Sequence, residues 1–548
     1  MEASDVRIAR PEARVWLTPR VPRWTAEAWI AIAVVALFVG ITSWWLTQDR
    51  TIPIFDAGGH LSRVMTIYEQ LRAGHIGTAL DVALPYPPFA YLVGALGIWV
   101  GGLGVAPPVI AQNLVFVPLL ALGCYHVGRL AFGRRAGLLA VVFALGSPLI
   151  TAQLHVSMID APETAMVAVS VWLILASERF SRVWVSAAAG VAVGLGMLTK
   201  EPFAFFVAGV VAVTLVRGGW RSWRGLALFA LLALAISLPW YIHYFSQTKT
   251  LAEGATLANQ GQRYEHTIQG IAPARFSSAN LTWYFWNITN FQLYAPLFAF
   301  AVIGGAWTIV GFVRRRVVSP LAWELAVGAF VAWFAITETF VHDTRYSMPL
   351  LLYLAVFGSG WIVRLPRVGR LVATSALVLI AIANTLATSF GVGDTFGGTL
   401  KATLPGAEPR LLAQPGVVTF YSNAGFLVAG PHRGGDVLGL MRALRRDGVR
   451  EIAWISLGRE EPPPALTPVF SNEGLEAFAQ IAKLKPANET GSSAHVATLG
   501  HGPIEPGHAP PCVTLSDGSG VWIRLGNPNA GGTQDYCPFR HPALYRAY

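Results

Sequence analysis

The chain has 548 residues, of which 54% are apolar and only 13% charged, with a mean hydropathy of +0.50. Soluble domains carry about a quarter charged residues, so this balance excludes an ordinary soluble protein. The net charge of +10 is spread in small arginine groups rather than gathered on one basic face, which argues against a nucleic-acid partner.

The first apolar stretch, 29–46, follows an arginine-bearing leader without a small-residue cleavage site, and reads as a retained span in a 1–24 cytoplasmic segment's wake. Arginines then recur beside span ends. They fall at Arg129, Arg134 and Arg135; Arg179 and Arg182; Arg217, Arg221 and Arg224; Arg314, Arg315 and Arg316; and Arg364, Arg367 and Arg370. Alternate loops lack them. This positive-inside pattern sets the N-terminus in the cytoplasm of an inner-membrane protein. It yields eleven spans, near 29–46, 107–128, 136–152, 161–178, 183–199, 202–217, 225–245, 291–313, 321–340, 346–363 and 371–389. Residues 88–104 are short and glycine-rich and are expected to be interfacial or re-entrant.

The first outer loop, 47–106, is therefore long. Apolar spacing over Leu61–Ala73 predicts a helix lying along the membrane surface. A second outer loop, 246–289, ends in Trp283-Tyr-Phe-Trp286, which fits an interfacial aromatic belt or a platform for a sugar. From Gly391 the composition turns to glycine, proline and histidine, and 391–548 is expected to be a small extracytoplasmic α/β domain. Strands are predicted at 417–421 and 451–456, an amphipathic helix at 436–447, and irregular chain over 459–510. Cys124 lies in a span as an ordinary buried thiol, whereas Cys512 and Cys537 are expected to form a disulfide in the oxidising outer compartment.

Four polar groups fall at outer span ends. They are Asp56 with His60; His155 with Asp160 and Glu163; Lys200 with Glu201; and His342, Asp343 and Arg345, followed by Tyr346. Ionisable groups beside apolar spans are costly and tend to face a cavity, so each is a candidate. Structural readings stand beside these. Asp56 caps a helix beginning near His60; Asp160-Ala-Pro-Glu163 is a helix start with Asp160 as its cap; Lys200 and Glu201 pair across a tight turn; and Arg345 is an interfacial anchor. A carboxylate at the outer membrane surface can serve as base toward a water-borne acceptor, and an arginine there suits the phosphate of a lipid-borne donor. His60 and His155 either orient the acids or bind a divalent metal ion.

Several short stretches carry a resemblance. They are Asp56, Tyr86-Pro-Pro-Phe89, Gly128-Arg-Leu-Ala-Phe-Gly-Arg134, Met158-Ile-Asp160-Ala-Pro, Leu198-Thr-Lys200-Glu-Pro202 and Arg345-Tyr-Ser-Met-Pro349. In this order the chain resembles, over residues 25–390, the GT-C superfamily of membrane glycosyltransferases. The branch resembled is that of the protein O-mannosyltransferases and aminoarabinose (lipid A) transferases. The resemblance implies sugar transfer from a polyprenyl-phosphate carrier to an envelope glycan, lipid or protein on the outer face. It makes Asp56 the base and Asp160 a second acid, and turns Lys200 and Arg345 toward the lipid phosphate. His60, His155, Glu163, Glu201, His342 and Tyr346 are the expected substrate-binding set. An Asp-Glu pair is usual in the mannosyltransferases, but here Ala57 follows Asp56. The alternatives are a transporter or flippase of lipid-linked sugars and a non-catalytic assembly protein.

Overall fold

The computed structural model describes residues 25–48, 55–102, 106–246, 276–314, 319, 321–339 and 342–390, together with six strands between 417 and 525. The first part is helical throughout. It is a polytopic helical membrane protein: six segments are long and apolar enough to cross a membrane, namely Ala26–Thr47, Ala106–Phe132, Trp223–His243, Tyr294–Val313, Thr344–Arg364 and Arg367–Phe390. Many of their large apolar side chains face outward, among them Trp29, Leu37, Leu231, Ile309 and Leu379, as lipid-facing helices require.

Helix α1 (Ala26–Gln48) packs on α5 (Ala106–Phe132). Between them lie α2 (Phe55–Arg72), α3 (Ile76–Ala83) and α4 (Phe89–Gly101). Helix α2 contains the predicted amphipathic stretch but begins at Phe55, six residues earlier. Asp56 is thus in its first turn rather than capping a helix from His60, because Gly58 and Gly59 are accommodated inside the helix. At 13 residues, α4 is roughly 20 Å long, short of the ~30 Å hydrocarbon core. Its apolar face is covered by α2 and α5.

The turn from α5 into α6 (Arg134–Leu145) explains one quoted motif. Gly133 has φ +97°, a left-handed conformation that glycine adopts without strain. Five residues earlier, a Cβ on Gly128 would lie 2.9 Å from the Cα of Gly137. Gly128-Arg-Leu-Ala-Phe-Gly133 is therefore a close helix crossing.

Expected spans are interrupted where proline or polar residues occur. The 136–152 span is two helices, α6 and α7 (Pro148–Gln153), broken at Gly146-Ser147. Ser147 Oγ donates to the carbonyl of Gln292 at 2.6 Å. That carbonyl ends a π-helical turn, Ile288–Gln292, linking α12 (Ser278–Asn287) to α13 (Tyr294–Val313). The 346–363 span opens as a 3₁₀ turn, Thr344–Leu350, before α15 (Leu351–Gly360), and Pro349 lies in that turn. The intervening helices are α8 (Asp160–Ala176), α9 (Val183–Met197), α10 (Phe203–Val216), α11 (Trp223–His243) and α14 (Ala322–Thr337). Helix α16 (Arg367–Phe390) follows. Cys124 is fully buried in α5, as an apolar span predicts.

The six strands form one mixed sheet in the order β3-β4-β2-β1-β6-β5. They are β1 (Val417–Ser422), β2 (Glu451–Ser456), β3 (Leu466–Asn472), β4 (Ser493–Leu499), β5 (Val513–Leu515) and β6 (Val521–Leu525). Strand β1 pairs in parallel with both β2 and β6. A parallel pair needs a crossover of about a dozen residues or more, and the chain between β1 and β2 is long enough to supply one. The helix expected there, 436–447, lies outside the described residues, as do Cys512 and Cys537. The expected irregular stretch 459–510 is corrected: β3 and β4 both lie within it. Prolines misled the sequence reading because β3 is an edge strand with a register shift between Pro468 and Phe470, the setting in which a strand tolerates proline.

Candidate active site

Three turns that are remote in sequence bring their charged residues together. Asp160 opens α8 but does not cap it. Ile159 occupies the cap position, and no side chain caps the helix. The Asp160 carboxylate instead accepts from Lys200 Nζ at 2.6 Å, and Glu163 Oε2 stands 3.8 Å from the same ammonium. Lys200 belongs to the turn between α9 and α10, so it reaches across to α8 rather than pairing with its neighbour Glu201. All three are buried: Asp160 and Glu163 are each 1% exposed and Lys200 6%. Ions so buried persist only when paired, because removing them from water costs several kcal/mol each.

The third turn is His342-Asp-Thr-Arg345-Tyr346. Arg345 donates Nε and Nη2 to the two Asp343 oxygens at 3.0 and 2.6 Å, a bidentate pair, and its backbone N–H adds a third bond to Oδ1 at 2.8 Å. Asp343 thereby caps the 3₁₀ turn and fixes the guanidinium. Burial pushes the Asp343 carboxyl upward, but Arg345, with help from Lys200, outweighs it and holds the group below the usual carboxylate range. The ring of Tyr346 lies under the Lys200 ammonium, 4.5 Å from Nζ to centroid. Lys200 thus touches both α8 and the Arg345 turn.

The first outer loop reaches this cluster through Tyr86-Pro-Pro-Phe89. The backbone N–H of Phe89 donates to the carbonyl of Leu198 at 2.9 Å, which ties the loop to the Lys200 turn. His60 Nδ1 lies 2.7 Å from the hydroxyl of Tyr91, and its ring packs near Tyr86 and Tyr91. The side chain of Asp56 lies outside the described residues. By the helical repeat, positions 56, 60 and 63 of α2 share one face.

The remaining candidates are placed by packing. His155 stacks on Trp45 of α1 with centroids 3.7 Å apart, and Trp45 Nε1 in turn donates to the carbonyl of Ser389. His342 stacks on Trp283 and meets the edge of Tyr284, and its Nε2 lies 3.0 Å from the Thr337 carbonyl. The 283–286 aromatics therefore divide: Trp283 and Tyr284 hold His342, while Phe285 and Trp286 are exposed. Among the described residues no three His, Cys, Asp or Glu side chains form a metal-binding group. Glu201 Oε1 is buried without a hydrogen bond.

Burial pushes the Glu201 carboxyl up to about 7 from an ordinary 4.5, opposed by its own backbone contact and by Lys200. Between those values the folded protein holds a proton that the unfolded chain has released. Stability therefore falls as pH rises through that window and is level above it. Thermal unfolding scans from pH 5 to 8 are expected to show this decline in the wild type and a flatter profile in Glu201→Gln. Parallel profiles would show that the carboxyl is solvated.

Residues 86–243 match the family model described as dolichyl-phosphate-mannose-protein mannosyltransferase. That stretch is similar to the mannosyltransferase family over less than a third of the chain. It includes Tyr86, Asp160, Glu163, Lys200 and Glu201, and stops short of Asp56 on one side and Arg345 on the other. The resemblance of that stretch is to the protein mannosyltransferases of the GT-C membrane glycosyltransferases. Among solved structures the chain is similar to ArnT from Cupriavidus metallidurans bound to undecaprenyl phosphate. The identity is 18% over 66% of this chain and 65% of that one, with a TM-score of 0.49. The apo form of the same protein gives 20%, 62%, 61% and 0.44. The oligosaccharyltransferase AglB from Archaeoglobus fulgidus, in complex with an inhibitory peptide and a dolichol-phosphate, gives 13%, 67%, 56% and 0.41. The chain thus spans a little under two thirds of the ArnT chain. No curated protein matches the sequence.

The site also holds contacts that the sequence does not announce. Tyr91 engages His60, and the Leu198 carbonyl anchors Phe89; nothing in their spacing announces either contact. Asp343, by contrast, was itself among the candidates, and an Asp-x-Arg at the start of a turn is a readable sign of a capped, fixed guanidinium.

Proposed function

We propose that this protein transfers a sugar from a polyprenyl-phosphate carrier to an acceptor hydroxyl at the extracytoplasmic face of the membrane. The observation that carries the reading is the meeting of the Lys200–Asp160 and Arg345–Asp343 pairs. They come from separate turns, around a stretch similar to the mannosyltransferase family. Two charge pairs at one end of apolar helices are expensive for structure alone and suited to a dianionic leaving group in a dry site.

In this mechanism Asp56 takes the proton of the acceptor hydroxyl. The oxygen lone pair attacks the anomeric carbon, the bond from that carbon to the phosphate oxygen breaks, and its electron pair stays on the phosphate. One displacement inverts the anomeric configuration. Arg345, held by Asp343, and Lys200, held by Asp160, flank the phosphate as it gains charge. Glu163, Glu201, His60 and Tyr346 shape the same cavity, with His155 and His342 supporting it from behind. The N-terminus lies in the cytoplasm, eleven spans follow, and the 391–548 domain, closed by a Cys512–Cys537 disulfide, lies outside, where it meets the acceptor.

The test is release of free polyprenyl phosphate from a panel of polyprenyl-phosphate sugars by the purified full-length protein, with envelope extract supplying acceptors. Release from one donor is expected, with inverted linkage in the product. No release from any donor by folded protein would remove the enzymatic reading in favour of transport or assembly.

A further inference from the structure

Both cations of the cluster are already engaged by carboxylates: Lys200 faces Asp160 and Glu163, and Arg345 is bound through two nitrogens to Asp343. A polyprenyl phosphate leaving an anomeric carbon brings additional negative charge, and neither pair supplies an unmatched cation for it. One arginine beside the cluster is not matched. Arg63 of α2 is half-buried, and its only hydrogen bond runs from Nε to the carbonyl of Leu84 at 3.2 Å. Among the described residues no carboxylate pairs with it. Its guanidinium sits over the ring of Tyr86, 6.0 Å from the centroid. That ring belongs to the segment whose Phe89 is bonded to the Lys200 turn. Arg63 therefore stands beside the segment that joins the first outer loop to the Lys200 turn.

We propose that Arg63 binds the phosphate of the lipid-linked donor and of the released carrier. Three features argue for this over a solvated surface arginine. The Nε bond to Leu84 fixes the plane of the guanidinium and leaves its terminal nitrogens as the donors a phosphate accepts in pairs. The Tyr86 face beneath it limits its freedom. Its position, seven residues after Asp56, puts it two turns along the same face of α2, so base and phosphate ligand would approach one donor from one helix. The inference rests on the glycosyltransferase reading and names a residue outside the matched 86–243 stretch.

Binding to the full-length protein in detergent would be measured with undecaprenyl phosphate, undecaprenol, inorganic phosphate and phosphatidylglycerol, for wild type, Arg63→Gln and Arg63→Lys. A lost charge-assisted contact corresponds to about tenfold or more in affinity. Arg63→Gln is expected to lose that much for undecaprenyl phosphate and nothing for undecaprenol. Arg63→Lys should fall between. Unchanged binding of undecaprenyl phosphate by Arg63→Gln would overturn the assignment while leaving the proposed activity intact. Equal losses for phosphatidylglycerol would also overturn it, making Arg63 a headgroup anchor. Wild type that binds undecaprenyl phosphate no better than phosphatidylglycerol would end both this assignment and the activity beneath it. An unfolding temperature for Arg63→Gln equal to wild type keeps the comparison free of misfolding.

Discussion

Asp56→Asn is expected to lower sugar transfer by about a hundredfold to ten-thousandfold, the span that general-base catalysis supplies, while leaving thermal unfolding and carrier binding near wild type. The amide keeps the shape and one acceptor oxygen but does not take up a proton at neutral pH. The loss should therefore appear in turnover rather than in donor affinity. Asp56 is in the first turn of α2, where a carboxylate also meets the positive end of the helix dipole. A purely structural Asp56 predicts a different result: the helix start would weaken, unfolding would come at lower temperature, and transfer would fall only as folded protein is lost. Polyprenyl phosphate release and unfolding temperature measured on the same preparations separate these outcomes. Full transfer by Asp56→Asn would remove it as the base and shift the search to Asp160.

Much of the membrane part was legible in the sequence because its cause is local. Apolar stretches and flanking arginines mark helix ends one at a time, and α1, α5, α11, α13 and α16 fall within a few residues of expectation. What was not legible depends on partners far along the chain. The break before Pro148 is stabilised by a carbonyl 145 residues away, and the edge position that lets β3 contain Pro468 is set by pairing with β4 alone. The site follows the same division. Its titratable residues stood out singly, because charge beside apolar helices is rare, but their pairing did not. Asp160 looked like a helix cap from its spacing to Glu163, and the Lys200 ammonium, 40 residues on, claims it instead. His155 and His342 stood out because they neighbour acids in sequence, and their stacking on Trp45 and Trp283 depends on residues far along the chain.

That pairing gives Lys200→Met the largest expected effect on stability. The substitution keeps the length and apolar stem of lysine but removes the only cation that, among the described residues, pairs with Asp160 and Glu163 within 4 Å. Leaving a buried partner uncompensated costs about 3–5 kcal/mol, so unfolding should begin several degrees lower and donor turnover should be lost. Two causes of that loss, misfolding and missing phosphate contact, are separated by adding Asp160→Asn. Neutralising both members removes the unpaired charge, so the double variant should regain most of the lost unfolding temperature. If Lys200 only staples α8 to the α9–α10 turn, that rescued protein should bind undecaprenyl phosphate as wild type does. If Lys200 also faces the carrier phosphate, it should be folded and still bind weakly. Failure of Asp160→Asn to rescue any stability would mean that the ammonium serves Glu163 and Tyr346 more than Asp160. The 2.6 Å contact argues against that outcome.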